Sequence, residues 1–226
     1  MRRLYLFIRA IPKTLYFNLK YLPFKSAIKF PFFISHRVWL METKGTVKIN
    51  CEELKPAMIK IGFGEVGIFD QMRERSIWKV QGLVEFHGAA SLGHGTKISV
   101  ETQGRLAVGK DAIVTAESSI ICTKEIVLED EVMISWDVQI MDTDLHAIRN
   151  VSGEVINYDE KVSIGARSWI GSRAMILKGV NLTKGSVVAA GTVVSKSINN
   201  VIEKNENLLI GGNPPRIIKE NVIWEK

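Results

Sequence analysis

Ile164-Gly165-Ala166-Arg167-Ser168-Trp169-Ile170-Gly171-Ser172-Arg173-Ala174-Met175-Ile176 carries an aliphatic residue every six positions, and the beat continues through Leu182, Val188 and Val194. Four positions after the first five of these stand the compact residues Ser168, Ala174, Val180, Ser186 and Thr192. A helix spaces its apolar residues three and four apart, and a half-buried strand alternates by two, so neither accounts for a period of six. One inward aliphatic per short side, with a small residue where the chain turns, describes a parallel β-helix whose coils bury their faces on one another. Glycines 165, 171, 179, 185 and 191 are expected to supply permissive backbone at the corners.

The same unit recurs upstream, as Ile59-Lys60-Ile61-Gly62, Leu106-Ala107-Val108-Gly109, Ile126-Val127-Leu128-Glu129 and Val162-Ser163-Ile164-Gly165, with a shorter copy at Leu92-Gly93-His94-Gly95-Thr96. The starts at 106, 126 and 162 are 20 and 36 residues apart, intervals that suit coils of three six-residue sides with small insertions. Between them, Asp142-Thr143-Asp144-Leu145-His146 stops the rhythm, and a polar segment runs from Arg149 to Lys161. The division expected is an arm over 1–50, a β-helix over 51–198 with an inserted loop at 147–161, and a terminal coil and tail over 199–226. An ending of this kind covers the open edge of the last coil.

The net charge of +6 on 226 residues is unevenly placed. Residues 1–50 hold ten Lys/Arg and one acid, Glu42, leaving the remainder slightly acidic. Whole-protein basicity is thus no argument for nucleic acid, and none is expected as a partner. The arm also holds ten of the 18 aromatics, with Pro12, Pro23 and Pro31 expected to limit it to short helical pieces. It either packs on the body or a neighbouring subunit, or rests on an anionic membrane surface. Cys51 and Cys122 make no disulfide framework and read as buried small apolar residues in a reducing compartment. Five apolar residues before Arg9 are too few for a signal core, so the expected location is cytoplasmic, with the inner membrane face within the arm's reach. His36, His87 and His94 do not assemble a zinc triad, and no metal is expected.

The hexapeptide beat, the break at Asp142–His146, Ser168-Trp169-Ile170-Gly171, Ala189-Ala190-Gly191-Thr192-Val193-Val194 and Gly212-Asn213-Pro214-Pro215-Arg216 together resemble the hexapeptide-repeat acyltransferases, especially the galactoside, maltose and surface-polysaccharide O-acetyltransferases. The resemblance covers about residues 57 to 219 and implies an all-β, left-handed parallel β-helix. It also implies a homotrimer, with acetyl-CoA as co-substrate between neighbouring subunits and a glycan or activated sugar as acceptor. The long arm and the paired aspartates depart from the maltose enzymes and favour the surface-polysaccharide branch.

Acetyl transfer to a hydroxyl needs a base that removes a proton as the oxygen attacks, a role suited to histidine. His146 matches the family's catalytic histidine. Asp144 and Asp142 are candidates to orient the imidazole, to bind acceptor hydroxyls, or only to satisfy corner amides. Trp136 and Asp137, one side earlier, are candidates for the acceptor pocket. By the same resemblance Trp169, Gly171, Ala189, Ala190 and Gly191 are expected along the pantetheine arm, and Arg216 and Lys219 at the phosphates. Arg149–Lys161 reads as a lid with a mobile tip at Ser152-Gly153. N-acetylation of an amino sugar nucleotide and a non-catalytic scaffold stand as the competing readings.

Overall fold

A computed structural model of the protein describes residues 2–64, 66–70, 74–202 and 205–225, with side chains from Leu4 onward. The chain winds as a three-sided prism of short parallel strands, and the strands of successive coils stack into three sheets. The first face runs from Phe32–Ile34 through Ile59–Phe63, Ala90–His94, Ala112–Ala116, Met133–Ile134, Trp169–Ile170 and Val187–Val188 to Leu209–Gly211 and Arg216–Lys219. The second face includes Ile77–Val80, Ser119–Cys122, Gln139–Met141 and Met175–Ile176. The third includes Thr46–Ile49, Leu83–Phe86, Glu125–Leu128, Val162–Ile164 and Asn181–Leu182.

The six-residue beat is the core itself. Ile164, Ile170, Ile176, Leu182, Val188 and Val194 are all buried, and so are Ser168, Ala174, Val180, Ser186 and Thr192 at the turns. On the first face Ile34, Ile61, Leu92, Val114, Ile134, Ile170, Val188 and Ile210 pair in one continuous inward column. In-register stacking of aliphatics lets each coil shield the next, which is how a narrow solenoid builds a core.

The glycines divide by function. Gly179, Gly185 and Gly191 have positive φ, whereas the corresponding turns at Asp137, Arg167 and Arg173 adopt it with side chains present. Gly165 and Gly171 do not have positive φ; a Cβ at Gly171 would lie 2.6 Å from the Val188 oxygen. Their absent side chains admit the next coil's backbone rather than a special turn.

Two spacings resolve differently from the sequence reading. Ile126 pairs directly with Val162, so the 36-residue interval is one coil plus an extruded loop rather than two coils. In the regular region 18 residues separate paired positions, as between Ser163 and Asn181. The first coil also begins at Phe32, inside the segment assigned to the arm, because its strand is aromatic and lacks the Gly-marked repeat.

The N-terminal arm is a long helix, not short pieces. Helix α1 (Arg2–Tyr21) continues through Pro12, and Pro23 and Pro31 precede helix α2 (Phe24–Ala27) and the first strand. Pro12 removes one backbone donor on the exposed side, at a cost of about 3 kcal/mol in a helix interior. Tertiary packing offsets it. Phe17 is buried edge-on to Phe32 and Trp78 at 5.0 and 5.2 Å. The Asn18 side chain donates to the Phe32 carbonyl (2.9 Å) and accepts from its N–H (3.2 Å), while the Thr14 hydroxyl accepts from the Ile34 N–H (3.0 Å). Helix α1 thereby closes the open edge of the first coil, a surface that would otherwise invite strand pairing. At the other end helix α3 (Asn199–Ile202) and the antiparallel pair Leu209–Gly211 and Arg216–Lys219 finish the prism.

Candidate active site

The loop that breaks the rhythm leaves the second face after Gln139–Met141 and rejoins the third at Val162–Ile164. Its base is pinned by Asp142, whose carboxylate is fully buried. It accepts from the backbone N–H groups of Thr123 and Lys124, both at 2.8 Å, and from the Thr123 hydroxyl at 3.0 Å. Those contacts use both carboxylate oxygens, so Asp142 is a structural cap of the preceding coil and not the acceptor ligand proposed from sequence. Burial, with the Asp142 carboxylate adding to it, pushes the neighbouring Cys122 thiol well above its ordinary pKa and keeps it inert. Cys51 is only partly buried, unlike Cys122.

Asp144 also departs from its expected partner. Its Oδ2 accepts from Lys178 Nζ at 2.6 Å and from Asn157 Nδ2 at 2.8 Å, and no hydrogen bond joins it to the His146 ring. The Lys178 hydrogen bond, followed by that of Asn157, holds the Asp144 carboxyl below the usual range. Asn157 donates again to the His146 carbonyl at 2.8 Å, and Lys178 to the Asn157 carbonyl at 2.8 Å. The His146 N–H meets the Asp144 carbonyl at 2.7 Å. Backbone and loop are therefore braced around His146 while its exposed imidazole has no partner among the described residues of its own chain. Lys178 and Asn157 escaped the sequence reading because the loop hides which coil positions become neighbours.

The rest of the loop is held as well. Asn150 Oδ1 accepts from the Ser152 and Glu154 N–H groups at 3.1 and 2.9 Å, and Arg149 bridges Val155. The expected mobile tip is a hydrogen-bonded turn. Leu145, Ile148, Val151, Ile156 and Tyr158 stand exposed along this ridge.

The residues expected at the donor gather elsewhere. Trp169, Ala189 and the Arg216–Lys219 strand occupy neighbouring positions of the first face, with the Ala189 N–H bonded to Ile210 O at 2.8 Å. Gly191 follows at the corner, its N–H on Ser172 O at 2.9 Å, and Ala190 N lies against the Gly171 backbone. Trp169 Nε1 donates to Ser135 Oγ at 2.9 Å, and its ring lies 6.0 Å from Trp224. Beside Trp224 is a cavity of about 540 Å³ lined by Arg167, Lys184, Glu131, Glu206 and Asn207, which sequence reasoning missed because the tail that forms it lies outside the repeat. Trp136 and Asp137 lie on the corner of the donor set: the Arg173 N–H bonds Trp136 O at 3.1 Å, and Arg173 Nε approaches Asp137 Oδ2 at 3.6 Å. They stand at the end of the Gln139–Met141 side opposite to His146, so a single chain does not unite them with the histidine as expected.

Among the described residues no three His, Cys, Asp or Glu side chains converge as a metal site. His94 is buried, with Nε2 3.7 Å from Glu117 Oε1. Desolvation lowers its pKa, opposed in part by Glu117.

Residues 161–196 match the family model described as the hexapeptide repeat of succinyl-transferase. The polysialic acid O-acetyltransferase of Escherichia coli O1:K1 / APEC is 29% identical over 130 residues, covering 56% of this chain and 40% of that protein. The galactoside O-acetyltransferase of Escherichia coli K12 is 29% identical over 115 residues, covering 50% of this chain and 53% of the enzyme. The chain thus spans about half or less of the length of these curated relatives. Among solved structures, that of the polySia-specific acetyltransferase NeuO superposes with a TM-score of 0.51 at 21% identity, covering 86% of this chain and 78% of that one. Residues 161–196 carry the hexapeptide repeat, and the chain has the left-handed parallel β-helix fold. Within that class it is similar to sugar O-acetyltransferases.

Proposed function

We propose that the protein is an acetyl-CoA-dependent acetyltransferase acting on a sugar hydroxyl of a surface polysaccharide or its activated precursor, with His146 as general base. The observation that carries this reading is the unpartnered imidazole of His146, held on a braced loop where the repeat opens. The named O-acetyltransferase relatives support the donor and acceptor classes. In the step proposed, His146 takes the acceptor's proton as its oxygen attacks the thioester carbonyl. The tetrahedral adduct then expels the thiolate, which takes up from the imidazolium the proton that the acceptor lost. The Gly171 and Gly191 N–H groups are spent on Val188 O and Ser172 O, so the oxyanion falls to another backbone N–H of the donor groove.

The small side chains of Gly171, Ala189, Ala190 and Gly191 let an extended pantetheine reach backbone groups, and the exposed Arg216 and Lys219 suit phosphates. Trp136 and Asp137 on the adjoining corner suit a sugar face and its hydroxyls. Since His146 and this set lie on different corners, a productive site needs the loop of one copy beside the first face of another, as in a cyclic homotrimer. The exposed apolar ridge of the loop is the surface such a neighbour would cover. Free thiols at Cys51 and Cys122 support a reducing, cytoplasmic setting, where acetyl-CoA is available.

The test is incubation of the purified protein with acetyl-CoA and a panel of oligosaccharides carrying hydroxyl or amino groups, read by thiol release and an acetyl mass increment. Release that depends on a hydroxyl acceptor, and a loss of kcat of about 10²–10⁴-fold in His146→Ala, are the expected results. Turnover confined to amine acceptors contradicts the hydroxyl assignment; an unchanged His146→Ala rate contradicts the base.

A further inference from the structure

The outward side of helix α1 is apolar. Leu4, Ile8, Ile11, Leu15 and Leu19 recur at helical spacing and are 64%, 56%, 40%, 40% and 55% exposed. These offsets place them in one stripe, while Ala10, Thr14, Phe17 and Asn18 bury the inward side. Tyr5 and Tyr16 are exposed beside the stripe, and Arg9 and Lys20 follow on the next sector. A contiguous exposed stripe of this kind marks a docking surface.

We propose that this face of α1 docks on an anionic lipid surface, so that the prism attaches to the membrane by its capped end. Charge decides the occupant. Helix α1 contains five Lys/Arg and no acidic residue, and Lys25 and Lys29 follow in and after α2 beside the exposed Phe24 and Ile28. A second copy of this helix would bring like charges together around the stripe, whereas acidic headgroups neutralise them. Tyr5, flanking the aliphatic stripe, suits the headgroup boundary, where a ring can sit in the acyl region with its hydroxyl in water, while the Tyr16 hydroxyl lies 3.3 Å from Thr43 Oγ1.

The mode is one of lying in the interface, since among the described residues no helix is long and apolar enough to cross a membrane. Helix α1 crosses the open end of the first coil, with Asn18 and Thr14 on the edge of Phe32–Ile34, so the stripe belongs to the prism's end. Copies assembled side by side with parallel axes would present their caps together and gain avidity from simultaneous contact. The proposal does not depend on the acyl acceptor.

The experiment is co-sedimentation of the full chain with phosphatidylcholine vesicles with and without phosphatidylglycerol. Wild type is compared with Ile8→Glu/Ile11→Glu/Leu15→Glu and with Arg9→Glu/Lys20→Glu, and solution mass and thermal unfolding are measured in parallel. All five positions are solvent-facing, so both variants should fold. Expected are binding that requires phosphatidylglycerol and weakens with salt, and a loss of about tenfold or more in partition for each variant at unchanged mass. Absence of wild-type binding, binding indifferent to phosphatidylglycerol, or full retention by the triple variant overturns the proposal. A triple variant that changes solution mass but still binds vesicles also overturns it, assigning the stripe to a second copy.

Discussion

Two aspartates two residues apart do different work because one is buried and the other is not. Asp142 is sealed against the Thr123 and Lys124 N–H groups, so Asp142→Ala leaves two part-buried donors unmatched and empties a buried position. A loss of about 2–4 kcal/mol in denaturant unfolding is expected. Asp144 is 40% exposed and tied to Lys178. Lys178→Met should lower kcat severalfold by loosening the backbone that carries His146, with unfolding free energy changed by only about 1 kcal/mol or less. A kcat equal to wild type in Lys178→Met would contradict the bracing. His94 provides a pH signature. Burial lowers its folded pKa below the ordinary 6.5, so the unfolded chain binds more protons as pH falls through 6.5. Its contribution is present in full above 6.5 and is lost on acidification towards the folded pKa. His36, lowered chiefly by desolvation, contributes with the same sign. His94→Gln should flatten the dependence of Tm on pH below 6.5; an unaltered slope would place the coupling elsewhere.

At the scale of elements, the solenoid core was legible and its ends were not. Ile164 to Val194 announced themselves because each six-residue side contributes one inward residue and the coils there have no insertions. Coils before residue 130 are longer, as in the 22 residues between Ser91 and Ile113, so the same beat blurs. The cap was misread because local propensity argues against a helix through Pro12, while the decisive contacts of Phe17, Thr14 and Asn18 are with strands that sequence cannot place. Phe17→Ala should therefore cost about 3–5 kcal/mol by opening the end of the core. Within the candidate site, His146 and the residues proposed for the donor stand out as motifs. The Asp144–Lys178–Asn157 bracing does not, because it joins a loop to a later coil.

At the scale of the whole molecule, the three-sided prism sets the site's requirements. The proposed base, His146, follows the second face, whereas the residues proposed for the donor lie on and after the first, so the proposed site draws on two copies. The loop ridge of Leu145, Ile148, Val151, Ile156 and Tyr158 and the apolar stripe of α1 are separate exposed surfaces, one proposed to face a subunit and the other a lipid surface. The most direct test of this arrangement is complementation. His146→Ala and Ala190→Trp, each expected to be inactive, are unfolded and refolded together in equal amounts, and acetyl-CoA turnover is measured. If each site takes its histidine from one copy and its donor groove from the next, about a quarter of all sites in the refolded mixture are intact, and activity returns to that fraction of wild type. Mixed oligomers that form and remain as inactive as either variant alone would contradict a site built between copies.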